Sequence, residues 1–532
     1  MFAKIISAGI YGVQGFKVET EIDSSTGFPA FNMVGALSKE ARESRFRVGT
    51  ALKNSGYTIK PKRYTVNLSP AGINKDGTGF DLSIAVAVLL SDGIIKSETA
   101  DIIKNYAFIG ELGLNGEIKP VKGVLPMAVE LKKCGVQGIV TAAENAEEAA
   151  LSEIPDVIGV SELKVLIGIL KSRESFYSYE RHRPLSMGSE ESYDIDFSEV
   201  RGQNYMKRAV EIAASGGHNI LISGPAGTGK TMIASRIPTI LPRLTREENI
   251  KISEIYSICG LLPHDRPLLS RRPFRAPHHS VTPAALAGGG INACPGELSL
   301  ASKGVLFLDE LPLFSQNTIE ILRQPLESKR ITVTRLKGVF DYPADFLFAA
   351  AMNPCPCGFF PDRERCRCTD NQIRAYQSRL SKPVMERIDI CAKTRIPSFD
   401  ELRKEADGEC SARIRERVEE VRERQKKRFE KIKGAGTTLQ DSRDNEDVKG
   451  VLNGELGASM TLEICRLGYR EEEFLKDIFN KKGLSVRLYH KVLRLARTIA
   501  DMDKSDDIGL GHLAEAVGLR NGDEGILNNG NR

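Results

Sequence analysis

The chain's 532 residues are several domains' worth, and 41% hydrophobic with 27% charged residues supplies enough apolar material for globular cores. A formal net charge of +5 permits a nucleic-acid partner without arguing for one, because steering depends on local patches rather than on totals. The longest apolar run, "IAVAVLL" (84–90), is far below the roughly 20 residues that span a bilayer, so no membrane partner is expected.

The opening "MFAKIISAGIYGVQGFKVET" alternates like a strand and lacks the apolar core and small-residue cleavage site of a signal peptide. The protein is therefore expected to be cytoplasmic, where thiols stay reduced and clustered cysteines point to metal or to chemistry. Residues 1–172 mix short β-rich runs such as "YTVNLSP" with apolar helical stretches such as "DLSIAVAVLLSDGII", the pattern of an α/β domain. Residues 173–195 are polar and aperiodic and read as a linker. From 196 to 397, apolar strands alternate with helices again, as in a parallel sheet with covering helices. The remainder, 398–532, is helical: "SARIRERVEEVRERQKKRFEKI" sets Ile414, Val418, Val421 and Ile432 on one side, and "GTTLQDSRDNEDVKG" reads as a loop.

Within the second block, "LISGPAGTGKT" carries Gly224, Pro225, Ala226, Gly227, Thr228, Gly229, Lys230 and Thr231 between an apolar strand and a helical run. That context makes it a phosphate-binding loop for ATP: backbone N–H groups wrap the phosphates, the helix N-terminus adds positive potential, Lys230 reaches the β- and γ-phosphates, and Thr231 ligates Mg²⁺. "GVLFLDEL" is a second buried strand, ending in Asp309, a Mg²⁺ ligand through water, and Glu310, which orients or deprotonates the attacking water. A third strand, "FLFAAAMNP", ends in Asn353, a neutral tip suited to the same water. Between the last two, "ITVT" and "GVFDY" flank a basic turn and predict a β-hairpin.

Directly after Asn353, Cys355, Cys357, Cys366 and Cys368 fall within fourteen residues. Two C-x-C pairs can place four thiolates around a structural Zn²⁺, which would fold a loop with almost no apolar core of its own. Free or redox-active thiols are the alternative. His278 and His279 are adjacent, point in different directions, and are read as structural or pore-facing rather than as ligands.

These motifs resemble the magnesium-chelatase-like AAA+ ATPases of the YifB/ComM type, bacterial proteins linked to DNA processing. The resemblance runs over nearly the whole chain and rests on "VRGQNYMKRAVEIAASGGHNILISGPAGTGKT", "RPFRAPHHSVTPAALAGGG", "PGELSLASKGVLFLDELPLF", "AAMNPCPCG", "LSKPVMERIDI" and "SVRLYHKVLRLARTIADMD". It implies an αβα P-loop core with a helical C-terminal lid, assembled as a hexameric ring motor that hydrolyses ATP between subunits. It also implies Arg387 as the arginine given to a neighbour, Arg487 as a second γ-phosphate sensor, and action on DNA by branch migration or unwinding, in recombination or transformation. Two insertions become candidates for the pore: residues 272–290, and the hairpin with Lys329, Arg330, Arg335 and Lys337, whose basic side chains would track phosphates without reading bases.

The first domain looks like the proteolytic domain of Lon-type proteases, with its S5-like fold, through "NKDGTGFDLSIAVAVLL" and "GELGLNGEIKPVKGVLP". The nucleophile position of that motif falls on Gly79 and the lysine position on Leu125, while Ser69, Ser83, Lys119 and Lys122 lie only nearby, so a non-proteolytic relative is expected. A third function class is a chelatase-like metal-insertion chaperone. Against it, the chain has no D-x-S-x-S segment and carries a domain that chelatase motor subunits lack.

Overall fold

The computed structural model describes residues 1–183, 193–263, 267–289, 294–335, 338–396, 408–434, 452–482 and 485–520. The first domain is built on a seven-stranded mixed sheet, in the order Ala30–Val34, Arg63–Ser69, Gln14–Ser25, Phe2–Tyr11, Tyr106–Ile109, Gly138–Ala142 and Asp156–Val160. Phe2–Tyr11 and Gln14–Ser25 form an antiparallel hairpin, and from Phe2–Tyr11 onward the sheet is parallel. The helix Asp81–Ser91 is apolar on every side because nearly all of it is buried. Its one inward carboxylate, Asp81, is clasped by Arg47 through Nε at 2.6 Å and Nη2 at 2.9 Å.

The expected linker is corrected at its start. Arg173–Ser178 is a helix whose Phe176 is buried against Tyr106, with ring centroids 5.1 Å apart, and Arg181 pairs with Asp156 at 2.6 Å. One aromatic anchor among polar residues makes no period, so the sequence concealed this docking. Residues 184–192 lie outside the described residues.

The second block centres on a five-stranded, all-parallel sheet in the order Phe274–Arg275, Val305–Leu308, Leu347–Met352, Ile220–Ser223, Ile390–Lys393. The runs "VLFL" and "LFAAAM" are buried along their whole length, which is why they are continuously apolar rather than alternating. All the parallel strands end on one edge, so Ser223, Leu308 and Met352 deliver the following residues to the same place.

The expected hairpin forms between Arg330–Arg335 and Gly338–Pro343, with Ile331, Val333, Phe340 and Tyr342 on its buried face. Phe340 lies against Tyr11 of the first domain, ring centroids 4.8 Å apart. Helices follow: Ser411–Gly434, Ala458–Ile464, Tyr469–Lys482, Val486–Met502 and Leu510–Gly518. Ile414 and Val418, with Val492, Leu495, Ala496 and Ile499, join the same core as Ile220 and Ile222 of the sheet. The polar stretch 436–450, expected as a loop, lies outside the described residues. Among the described residues no helix is long and apolar enough to cross a membrane.

Candidate nucleotide site

The turn leaving Ile220–Ser223 needs backbone that L side chains seldom adopt: Gly227 and Gly229 have φ of 77° and 81°. Gly229 immediately precedes the helix Lys230–Ile240, so the turn and the helix N-terminus together form the cradle that a phosphate chain requires. The Lys230 ammonium folds back into this cradle, donating to the carbonyls of Gly224 and Pro225, both at 2.8 Å, and to Asn353 Oδ1 at 3.0 Å. Burial pulls its pKa down, with Asp309 and Glu310 opposing. All three acceptors are neutral, so phosphate oxygens can replace them without breaking an ion pair.

Thr231 Oγ1 donates to Asp309 Oδ2 at 2.6 Å, so the two oxygens proposed for Mg²⁺ already converge. Glu310 follows in left-handed backbone, φ 51°, its N–H donating to Asp309 Oδ1 at 2.9 Å. A non-glycine residue in that region carries strain, of the kind found at functional sites. The chemistry of the donor set fits ATP with Mg²⁺: a lysine and a glycine-rich turn for phosphates, a hydroxyl and a carboxylate for a hard cation, and a free carboxylate for water.

Sequence reading overlooked the next layer. Thr394, after the strand Ile390–Lys393, hydrogen-bonds Thr228 at 2.7 Å, tying the phosphate loop to the neighbouring strand. Tyr376, on the helix Asp370–Gln377, meets the backbone N–H of Asn353 and faces Glu310 and Cys355; burial pushes its hydroxyl up to about 12. Both are ordinary residue types in no motif, so nothing in the sequence marked them.

The sulfurs of Cys355, Cys357, Cys366 and Cys368 all lie within 4.8 Å of one another, and none is in a disulfide. Four converging thiols suit Zn²⁺. The Cys357 thiol is drawn down to about 6, first by the backbone N–H of Phe359.

Arg387 is nearly buried, donating to Glu327 Oε1 and to Pro383 O, each at 2.5 Å. Arg487 is exposed and pairs with Glu386 at 3.3 Å. Lys329 departs from its expected place in a pore. It closes the helix Arg323–Ser328 in left-handed backbone, and its ammonium sits between Asp345 at 3.3 Å and Glu455 at 3.4 Å, a structural ion pair at the hairpin's base. Arg330 is exposed where the hairpin begins; Lys337 and the Arg335 side chain lie outside the described residues. His278 and His279, expected to point in different directions, lie side by side, ring centroids 4.0 Å apart and tilted by 39°, with His278 Nδ1 on Ser280 Oγ at 2.9 Å.

In the first domain, Ser83 Oγ bonds the Thr20 hydroxyl and the Phe80 carbonyl, each at 2.9 Å, and Ser69 Oγ accepts from Asn67 at 3.0 Å. Leu125 is buried. Among the described residues neither serine is hydrogen-bonded to a lysine, so the serine–lysine pair of a Lon-type site is not assembled.

Comparison with known proteins agrees with this architecture. Three family profiles match in order: subunit ChlI of Mg-chelatase at 20–145, magnesium chelatase subunit ChlI at 196–402, and the ChlI C-terminal region at 408–520. Competence protein ComM of Haemophilus influenzae is 37% identical over 522 residues, 97% of each chain. The uncharacterized protein YifB of Escherichia coli is 38% identical over 510 residues, 96% of this chain and 95% of its own. Lon protease 2 of Bacillus subtilis is 28% identical over 139 residues, a quarter of this chain. With two relatives aligned almost end to end over a complete phosphate-binding edge, the chain belongs to the ComM/YifB family of magnesium-chelatase-like AAA+ ATPases.

Proposed function

We propose that the chain is an ATP-driven motor that works as a hexameric ring on DNA, remodelling branched or single-stranded intermediates. The observation that carries the ATPase half is the convergence of Lys230, Thr231, Asp309, Glu310 and Asn353 on one sheet edge. Lys230 exchanges its carbonyl partners for phosphate oxygens and stabilises charge on the γ-phosphoryl group. Thr231 and Asp309 hold Mg²⁺, which supplies charge neutralisation during transfer. Glu310 accepts the proton of the attacking water, and Asn353 fixes that water's orientation. Arg387 and Arg487 would complete the site from across a subunit boundary and from the lid, once released from Glu327 and Glu386. The Cys355, Cys357, Cys366 and Cys368 thiolates would hold a structural Zn²⁺ that folds their loop.

The DNA half is supported by the basic sequence around the hairpin turn, Arg330, Arg335 and Lys337, and by a relative named for competence. The chelatase-named profiles favour a second reading, an ATP-driven metal-insertion or remodelling chaperone. The deciding experiment compares wild type with Glu310→Gln on Holliday-junction, forked and duplex DNA, with and without ATP. The motor reading expects ATP-dependent remodelling of a branched substrate, abolished in the variant while nucleotide binding persists. Failure of wild type to bind or remodel any of the three DNAs transfers the assignment to the chelatase-like reading.

A further inference from the structure

The four-thiol loop begins two residues beyond Asn353, and both of its ends return to that residue. At its start, Asn353 carries the amide oxygen that holds Lys230 at 3.0 Å. At its end, Cys368 is followed by Thr369, whose side chain caps the helix Asp370–Gln377. That helix runs back so that Tyr376 meets the Asn353 backbone and Gln377 Nε2 donates to Pro354 O at 3.0 Å. In between, the loop passes beside the phosphate-binding turn, with room for no more than a methyl group between them. Gly358 has φ 82°, and a Cβ placed there would lie 3.5 Å from the backbone N of Ala226 and 3.9 Å from Asn353 Cγ.

The loop has little else to hold this shape. Its apolar cluster consists of Cys355, Cys366 and Ile373, fringed by Phe359 and Phe360. Its remaining ties are local and polar: Gly358 N–H to Cys355 O at 3.0 Å, turns closed by Asp362 N–H on Phe359 O at 2.9 Å and Cys366 N–H on Asp362 O at 2.8 Å, Arg363 on Cys368 O at 3.2 Å and on Asp370, and Arg363 and Arg365 lying over Phe360 and Phe359. A segment this poor in apolar contacts is folded chiefly by whatever its thiols bind. Whatever fixes the thiols therefore also fixes the wall against Ala226 and the seat of Asn353.

We propose that the four-thiolate metal site is a positioning element of the nucleotide site: occupied by Zn²⁺, it seats Gly358 beside the phosphate-binding turn and holds Asn353 against Lys230, so that metal occupancy sets affinity for ATP. This rests on reading the four thiols as a metal site. When the loop is released, only the fraction of molecules with Asn353 and Ala226 in place binds ATP well; a fraction near one tenth weakens apparent affinity about ten-fold.

The test uses the full chain and measures zinc per chain, the dissociation constant of a fluorescent ATP analogue, and steady-state turnover. Wild type is expected to carry one zinc. Cys366→Ser is expected to lose it, with affinity weakened about ten-fold and turnover failing mainly through KM. Stripping zinc from wild type with a chelator is expected to give the same shift, and adding zinc back to reverse it. Gly358→Ala keeps all four thiols, and its Cβ fits beside Ala226 at 3.5 Å, but φ of 82° is strained for alanine; it is expected to shift the loop's approach to the turn, retaining zinc yet binding nucleotide more weakly. If zinc departs and affinity is unchanged, or if Gly358→Ala binds as wild type does, the positioning role is overturned while the metal reading survives. Wild type that carries no zinc after growth and purification in its presence overturns both.

Discussion

The two edges of the five-stranded sheet are lined with the same chemistry and use it in opposite ways. At the edge where the strands end, Lys230 is held by two carbonyls and an amide, and Asp309 accepts only from neutral donors, the Thr231 hydroxyl and the Glu310 N–H, among the described residues. At the edge where they begin, Asp345 is clamped between Lys303 at 2.6 Å and Lys329 at 3.3 Å, Lys329 reaches Glu455, and Arg272 reaches Glu248 at 3.3 Å. The pKa directions separate the edges too. Burial leaves Lys230 lowered, whereas for Lys303 and Lys329 the carboxylates overcome burial and raise it. A lysine held by neutral groups can change partners at no Coulombic cost, while a lysine locked between carboxylates is part of the scaffold. The site is the edge whose charges are left uncommitted.

The largest effect should follow from removing the uncommitted charge. Lys230→Ala is expected to lower ATP turnover on the order of 10²–10³-fold, the loss typical of a group that stabilises transition-state charge. Its thermal midpoint should stay close to wild type, because the side chain releases only neutral acceptors. Turnover at the wild-type rate would remove Lys230 from the chemistry and the contrast between the edges with it.

At the opposite edge the signs reverse. Asp345→Asn leaves two ammonium groups facing each other without their shared carboxylate; with these side chains about a third exposed, the cost falls between that of a surface pair and a buried one, about 1–3 kcal/mol. Denaturant unfolding should show that loss. Any fall in turnover should track the unfolded fraction rather than the chemical step.

How far the sequence revealed all this differs between the edges as well. The strand that ends in Ser223, the glycine-rich turn and the pair Asp309–Glu310 are legible because each must be a particular residue type at a particular spacing for phosphate chemistry to work. The four cysteines are legible for the same reason. Lys329 was misplaced because a basic residue beside a predicted hairpin looks the same whether it faces a channel or folds under the strand. Its acidic partners, Asp345 and Glu455, are distant in sequence and carry no pattern. Phe176 and Tyr376 escaped for a related reason: a single aromatic that anchors a polar segment sets no periodicity.

Acid should probe the beginning-of-strand edge on its own. His218, just before Ile220–Ser223, is fully buried with Nε2 on Thr498 Oγ1 at 2.8 Å, and burial pulls it down to about 4. The unfolded chain takes up the proton near the ordinary 6.5, so between about 6.5 and 4 it binds more protons than the folded chain. The His218 contribution to stability therefore falls as pH drops through that window, by about 2 kcal/mol on reaching pH 5 at about 1.4 kcal/mol per unit. His218→Gln should flatten that slope, measured as unfolding free energy against pH. A slope unchanged by the substitution would mean that His218 is not held neutral.

The smallest stability effect should come from Arg487, and there the contrast can be drawn most finely. Its pair with Glu386 is solvent-exposed on the arginine's side, and such pairs contribute roughly 0–1 kcal/mol. Arg487→Ala should therefore melt within a degree or two of wild type. If the arginine serves the γ-phosphate from the lid, turnover should nonetheless fall by at least an order of magnitude, and Glu386→Gln, which frees the guanidinium, should preserve turnover or raise it. Loss of turnover in both variants would instead make the ion pair the functional unit: Arg487 would then belong with Lys303 and Lys329, as a charge that holds the lid helix to the core.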